Sequence, residues 1–240
     1  MNMAETNEKF TGEYFVPGAA GDRIEADHMA RYHFARKYVL GRKVLDIACG
    51  YGYGANILME AGALSYRGVD ISEELVKNAT EMYGSEKIVY ECADACKYQT
   101  REKFDVIVSF ETIEHIKTFR DALKVMRNCL APDGVIIISS PNRPVSSPGA
   151  RTIFDPPENR FHTQEFTVDE LVTEMKVAGF RMSDAEVFGQ RLSVLHFRNR
   201  LLRKVIRCLS LDPNGNASPE VRRFTMRKPR YFLIVAKDAG

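Results

Sequence analysis

Apolar positions along this chain follow two alternating rhythms. Short apolar runs at 44–47, 65–70, 87–92, 104–110 and 135–140 predict strands. Apolar residues at three- and four-residue steps predict helices over 22–40, 53–61, 73–83 and 118–130. Ser72 stands as an N-cap before the 73–83 stretch, and Ala131-Pro132-Asp133-Gly134 ends the helix before 135–140. Regular alternation of this kind predicts a doubly wound α/β fold, with a mostly parallel sheet covered on both faces. The rhythm breaks after residue 140. Residues 141–163 are rich in Pro, Ser and Asn and too long for a simple connection, so 141–166 is a candidate active-site loop. Thr167-x-x-Glu170 is a capping box for a helix that ends at Gly179, and 181–188 and 230–237 complete a set of seven strands.

The stretch that organises the rest is 44–55, Val-Leu-Asp-Ile-Ala-Cys-Gly-Tyr-Gly-Tyr-Gly-Ala. It reads as a strand, a glycine-rich turn and a helix N-terminus, a combination that lets a polar ligand press on backbone N–H groups. Gly50-x-Gly52-x-x-Ala55, followed by Asp70, satisfies the dinucleotide fingerprint. Asp46 argues against a dinucleotide, because a carboxylate at the strand end repels a pyrophosphate and attracts an ammonium or a sulfonium. S-adenosylmethionine (SAM) carries both of those charges.

This stretch resembles motif I of class I SAM-dependent methyltransferases, Asp/Glu-x-Gly-x-Gly-x-Gly, with Ala48 in place of the first glycine. The resemblance covers 40–140 well and implies a Rossmann-like seven-stranded sheet with an antiparallel last strand. It implies cofactor contacts from Asp46, Ala48, Gly50 and Gly52, and from Asp70 to the ribose hydroxyls. Ile71 would then pack on the adenine, Asp94 in Ala93-Asp94-Ala95 would receive the adenine amino group, and Phe110 and Glu111 would flank the methyl donor. An NAD-dependent reductase is the weaker alternative.

Glu111-Thr-Ile-Glu114-His115 carries the candidate chemistry. A helical turn there would put Glu111, Glu114 and His115 on one face at i, i+3 and i+4. With His162 from the long loop they form a candidate site for Mg2+ or another divalent cation. The pattern is similar to the magnesium site of small-RNA 3′-terminal 2′-O-methyltransferases, and the pentapeptide to one in ubiquinone-biosynthesis O-methyltransferases. A second option makes His115 or His162 a general base, with Glu111 beside the reacting atoms. A third is purely structural packing.

Composition narrows the picture only modestly. With 240 residues, 45% hydrophobic and 28% charged, the chain suits one soluble domain. The five cysteines (Cys49, Cys92, Cys96, Cys129, Cys208) lack the spacing of a zinc site and read as reduced. No leader and no continuous apolar span of about 18 residues is visible, so the expected compartment is cytoplasmic. Net charge is +2, yet 190–230 holds eleven Lys and Arg against Asp212 and Glu220, leaving the remainder net acidic. Its 192–209 part reads as a basic amphipathic helix, so 190–229 is an expected helical insertion that suits a phosphate-bearing substrate or a membrane surface. Nucleic acid is less favoured, because the segment shows no aromatic interleaving of the kind that supports base stacking, with Phe197 and Phe224 standing singly.

Residues 1–40 are expected as an arm and a helix over the active site, where His28, Arg31 and Tyr32 share a stripe. Gly12-Glu13-Tyr14-Phe15-Val16-Pro17 with His28-x-x-Arg31-Tyr32 is similar to methyltransferases found with surface-polysaccharide enzymes, which tilts the acceptor toward a sugar hydroxyl. The expected activity is therefore methyl transfer from SAM to a hydroxyl of a small molecule or glycan. RNA 2′-O-methylation and a non-catalytic SAM-binding partner subunit are the alternatives. Oligomeric state is not legible in the sequence.

Overall fold

A computed structural model describes residues 22–193, 218–224 and 228–238. The N-terminal arm (1–21) and the core of the basic segment (194–217) lie outside the described residues. The elements run α1 (Asp22–Ala35), β1 (Lys43–Ile47), α2 (Gly54–Glu60), β2 (Ser65–Asp70), α3 (Glu73–Tyr83), β3 (Ile88–Cys92), β4 (Phe104–Ser109), α4 (Phe119–Cys129), β5 (Leu130–Pro141), α5 (Arg143–Ser146), α6 (Val168–Val177), β6 (Phe180–Ser193) and β7 (Lys228–Asp238). One 3₁₀ turn, Arg36–Tyr38, extends α1.

The seven strands form a single sheet in the order β3-β2-β1-β4-β5-β7-β6. Neighbours from β3 to β5 pair in parallel, and β7 inserts antiparallel between β5 and β6. The order in which the strands are laid down reverses between the parallel neighbours β1 and β4, which makes the carboxyl ends of those two strands the natural crevice for a ligand. Side-chain alternation sends each strand to two cores. Val44, Val106, Val108 and Ile137 pack with Tyr32, Leu58 and Val76 on the α1–α2–α3 side. Leu45, Ile107, Ile136 and Ile138 pack with Leu123, Met126 and Leu171 on the α4–α6 side. Each such aliphatic side chain contributes about 1.5–3 kcal/mol on burial.

The predicted capping box is present: Thr167 Oγ1 accepts the Glu170 N–H while Glu170 accepts the Thr167 N–H. Ser72 likewise caps α3 by accepting from Leu75 N–H.

Three boundaries differ from the sequence expectation. Ala131–Gly134 does not separate helix from strand, because β5 already begins at Leu130 opposite Phe104. The segment instead makes an irregularity within the strand, with Asp133 at φ 58°. The helix at 22–40 closes earlier, as α1 followed by the 3₁₀ turn. The 190–229 segment is not helical from its start, since Gln190 and Leu192 pair with Tyr231 and Pro229 as β6 continues to Ser193.

Candidate active site

The glycine-rich turn joins β1 to α2 at the sheet's carboxyl edge. Ala48, Gly50 and Gly52 all have positive φ, at 62°, 55° and 74°. The glycines have different tasks. A Cβ on Gly52 would fall 2.6 Å from the Tyr90 ring, and the Gly52 carbonyl accepts the Tyr90 hydroxyl at 2.7 Å, so this position serves packing. A Cβ on Gly50 would meet nothing within 4 Å. Gly50 thus borders the open space that a ligand needs.

Asp70 at the end of β2 fixes the loop. Its Oδ2 accepts the Gly50 N–H at 2.8 Å, and its Oδ1 accepts the Ser72 N–H at 3.0 Å. Each carboxylate oxygen keeps a lone pair for another donor, such as a diol. Ile71 beside it is 72% exposed, an apolar side chain held out at the strand tip. Asp94, just after β3, accepts the Cys96 N–H at 2.8 Å, which lowers its carboxyl pKa, and Ala95 is half-buried in the same turn.

Asp46 faces inward. It is wholly buried, and Oδ2 accepts hydroxyls from Tyr32 of α1 at 2.8 Å and Tyr66 of β2 at 2.6 Å. Its Oδ1 has no hydrogen-bond partner. Burial dominates the two tyrosine hydrogen bonds and raises its pKa to about 7. Phe110 meets the Tyr32 ring edge-on at 5.0 Å and belongs to the same buried group.

Arg31, one residue before Tyr32, is 1% exposed. Its guanidinium lies 4.8 Å from the Tyr231 ring centroid, and Nη2 is 3.5 Å from Glu111 Oε2. Nε and Nη1 have no hydrogen-bond partner. A buried guanidinium with bare N–H groups is costly unless something anionic arrives. Bare N–H groups on Arg31 and a bare oxygen on Asp46 complement the carboxylate and ammonium of an amino-acid moiety. These groups, with the space over Gly50 and the fixed Asp70, fit SAM.

Glu111 does not begin a helical turn. It sits at φ 52°, a conformation that a non-glycine residue adopts at some cost in strain. Ser139 of β5 holds it there: Ser139 Oγ accepts the Glu111 N–H at 3.0 Å and donates to Oε1 at 2.8 Å. Glu111 therefore leaves the four-residue cluster expected from the spacing. Among the described residues, the donor atoms that lie within 4.8 Å of one another are those of Glu114, His115 and His162.

The loop is brought to this turn by backbone hydrogen bonds. Thr163 and Gln164 N–H groups donate to the Glu114 carbonyl, and the Gln164 side-chain amide donates to Ile113 and Ile116 carbonyls at 2.7 and 2.9 Å. The His115 and His162 rings consequently meet edge-on at 4.9 Å. His115 Nδ1 is 3.0 Å from the Phe161 carbonyl, an acceptor that requires the proton on that nitrogen. His162 Nδ1 is 2.6 Å from Glu165 Oε1, and its Nε2 is 2.8 Å from Asn159 Nδ2.

Glu114 is fully buried and neither carboxylate oxygen has a hydrogen-bond partner. Burial, then the Glu111 charge, raises its pKa well above the ordinary carboxylate value. Burial also raises Glu111, with Arg31 opposing it. His28 is pushed down by burial and by Arg31, and its Nδ1 is 3.2 Å from the Tyr53 hydroxyl.

Sequence reasoning did not single out Ser139 or Glu165. Ser139 lies in an apolar strand with no local signal. His162-x-x-Glu165 has i, i+3 spacing, but it falls in a stretch without helical periodicity.

A family model described as a methyltransferase domain matches residues 22–184. The chain belongs to this methyltransferase family. It is 32% identical over 176 residues to a probable S-adenosylmethionine-dependent methyltransferase of Mycolicibacterium smegmatis, covering 72% of this chain and 66% of that protein. It is 33% identical over 113 residues to a ubiquinone biosynthesis O-methyltransferase of Idiomarina loihiensis, covering 45% and 46% of the two chains. The chain thus spans two thirds or less of the length of these relatives. The crystal structure of a SAM-dependent methyltransferase from Archaeoglobus fulgidus is similar with a TM-score of 0.60 at 22% identity, covering 91% of this methyltransferase-family chain and 95% of that one. That likeness establishes the class I, Rossmann-like fold. No helix among the described residues is long and apolar enough to cross a membrane.

Proposed function

We propose that this methyltransferase-family chain transfers a methyl group from SAM to a hydroxyl of a small molecule or glycan. The observation that carries the hydroxyl acceptor is the edge-on pair His115 and His162, both with Nδ1 turned to an oxygen acceptor. A neutral imidazole so held presents Nε2 as the basic atom, and a hydroxyl, unlike a thiolate, needs a base to become a competent nucleophile. A relative named as an O-methyltransferase agrees with this choice.

SAM supplies an electrophilic methyl on a sulfonium, and the chain's residues arrange what surrounds it. Gly50 opens the backbone to the cofactor, Asp70 takes the ribose hydroxyls, and Ile71, Asp94 and Ala95 border the adenine side. Arg31 pairs with the methionine carboxylate. Asp46 and Glu111 favour the cationic end by charge. His162 accepts the proton of the acceptor hydroxyl, with His115 buttressing its ring. Positioning the nucleophile in line behind the methyl is the larger part of the rate gain.

A second reading is favoured by the bare Glu114 oxygens beside His115 and His162. Those three residues would hold a divalent cation that lowers the hydroxyl pKa directly. Asn159 would then have to leave His162 Nε2.

The test is methyl transfer from isotopically labelled SAM to a panel of catechols, free sugars and nucleotide-linked sugars, with and without EDTA. An O-methylated product that EDTA leaves unchanged, and that His162→Ala reduces at least a hundredfold, supports the base. Loss with EDTA and recovery with Mg2+ or Mn2+ selects the cation. Tight SAM binding with no product from any hydroxyl would instead point to a SAM-binding partner subunit.

A further inference from the structure

We propose that Glu165 is a positioning residue that holds the His162 imidazole in its Nδ1–H tautomer and so places the basic lone pair on Nε2. This rests on the reading above that His162 takes the acceptor's proton. The His162 Nδ1 to Glu165 Oε1 distance is 2.6 Å. Glu165 is 1% exposed and is itself held from the other side, with Ser146 Oγ donating to Oε2 at 2.5 Å. Ser146 occupies Oε2 as a donor, and Asn159 Nδ2, which can only donate, occupies His162 Nε2, so the ring N–H that faces Glu165 Oε1 is the one on Nδ1.

The opposite nitrogen is accordingly an acceptor. Nε2 takes the Asn159 amide N–H at 2.8 Å, the place where a donor group already sits. An acceptor hydroxyl that displaces Asn159 would give its O–H proton to Nε2. Its oxygen would form the new C–O bond as the S–C bond of the methyl donor breaks, with S-adenosylhomocysteine leaving as a neutral thioether. The imidazolium then lies against the Glu165 carboxylate until its proton passes to solvent. Glu165 is also joined to the fold through its backbone: Arg143 Nη1 donates to its carbonyl at 2.9 Å, and Arg143 Nη2 pairs with Glu170 at 2.7 Å. The orienting group is thus anchored on α5 and α6 rather than on the loop alone.

Long-range ¹H–¹⁵N correlation spectra of protein labelled at its five histidines, assigned with His162→Gln, read the tautomer without any substrate. The expected result is Nδ1–H for His162 in the unaltered chain and a mixed or Nε2–H pattern in Glu165→Gln. With an acceptor from the panel above, Glu165→Gln lowers kcat about a hundredfold or more, while calorimetric SAM affinity stays within about twofold. Ser146→Ala, a milder change, gives a several-fold loss in kcat and covers the case in which Glu165→Gln does not fold. An Nε2–H signal in the unaltered chain overturns the proposal. So does an unshifted tautomer, or undiminished kcat, in folded Glu165→Gln. Failure to methylate any hydroxyl counts against the acceptor reading, whereas the tautomer decides the role of Glu165 either way.

Discussion

The Asp70 carboxylate accepts the Gly50 N–H at 2.8 Å, joining the tip of β2 to the glycine-rich turn across twenty residues of chain. Asp70 therefore fixes the turn, and under the function proposed above its carboxylate would also offer acceptor oxygens to the ribose of SAM. Asp70→Ala removes both. Calorimetry should show SAM affinity reduced at least about tenfold to a hundredfold, since each hydrogen bond to a charged group contributes about 1.5–3 kcal/mol. Affinity within twofold of the unaltered chain would refute the ribose assignment.

Asp46 makes stability depend on pH in an unusual direction for a carboxylate. Its folded pKa of about 7 lies above the ordinary value near 3.8, so folding favours the protonated form. The associated stability is fully present below about pH 4 and is lost as pH rises toward 7, by up to about 4 kcal/mol at 1.36 kcal/mol per unit. Asp46→Asn should remove this slope. Chemical denaturation at pH 5 and pH 8 measures it, and equal pH dependence in both proteins would contradict the assignment.

Ala48 occupies a left-handed backbone conformation at φ 62°, which glycine adopts without a Cβ penalty. Relief of that strain, about 1–2 kcal/mol, exceeds the extra chain entropy of a glycine in the unfolded state. Ala48→Gly should therefore raise stability by about 0.5–1 kcal/mol, seen as a higher denaturant midpoint at unchanged m. A lower midpoint would show that the Ala48 methyl packs against something worth more than the strain.

Arg31 and Glu111 form a pair whose stability role and ligand role can be separated. Arg31→Met leaves the largely enclosed Glu111 without its cation and should lower the melting temperature. Adding Glu111→Gln should recover most of that loss, because both charges are then gone. SAM affinity should stay low in the double variant, since the bare Arg31 N–H groups are absent. Parallel recovery of stability and affinity would show that Arg31 acts only as a counter-ion.

The order of strands and helices up to residue 140 and the capping box at Thr167 were legible in the sequence, while the antiparallel insertion of the last strand was only implied by the resemblance to class I methyltransferases. Each legible feature follows from local periodicity, a cap at fixed offset or a motif confined to one strand–turn–helix unit. The turn chemistry at Gly50 and the acid at Asp70 were legible for the same reason. Tertiary structure decided what depends on residues far apart in the chain. Spacing placed Glu111 with Glu114 and His115, but Ser139, from a different strand, draws Glu111 into a positive φ and away from them. Asp46 read as a strand-end carboxylate that attracts a cationic ligand, and the sequence did not show that Tyr32 and Tyr66, from two other elements, bond its Oδ2. His162 comes to His115 because Thr163 and Gln164 bond to the 113–116 turn, and Glu165 finds His162 only because that loop is so held. Local pattern fixes which elements occur and in what order, while hydrogen bonds between distant segments fix exact boundaries and which side chains meet.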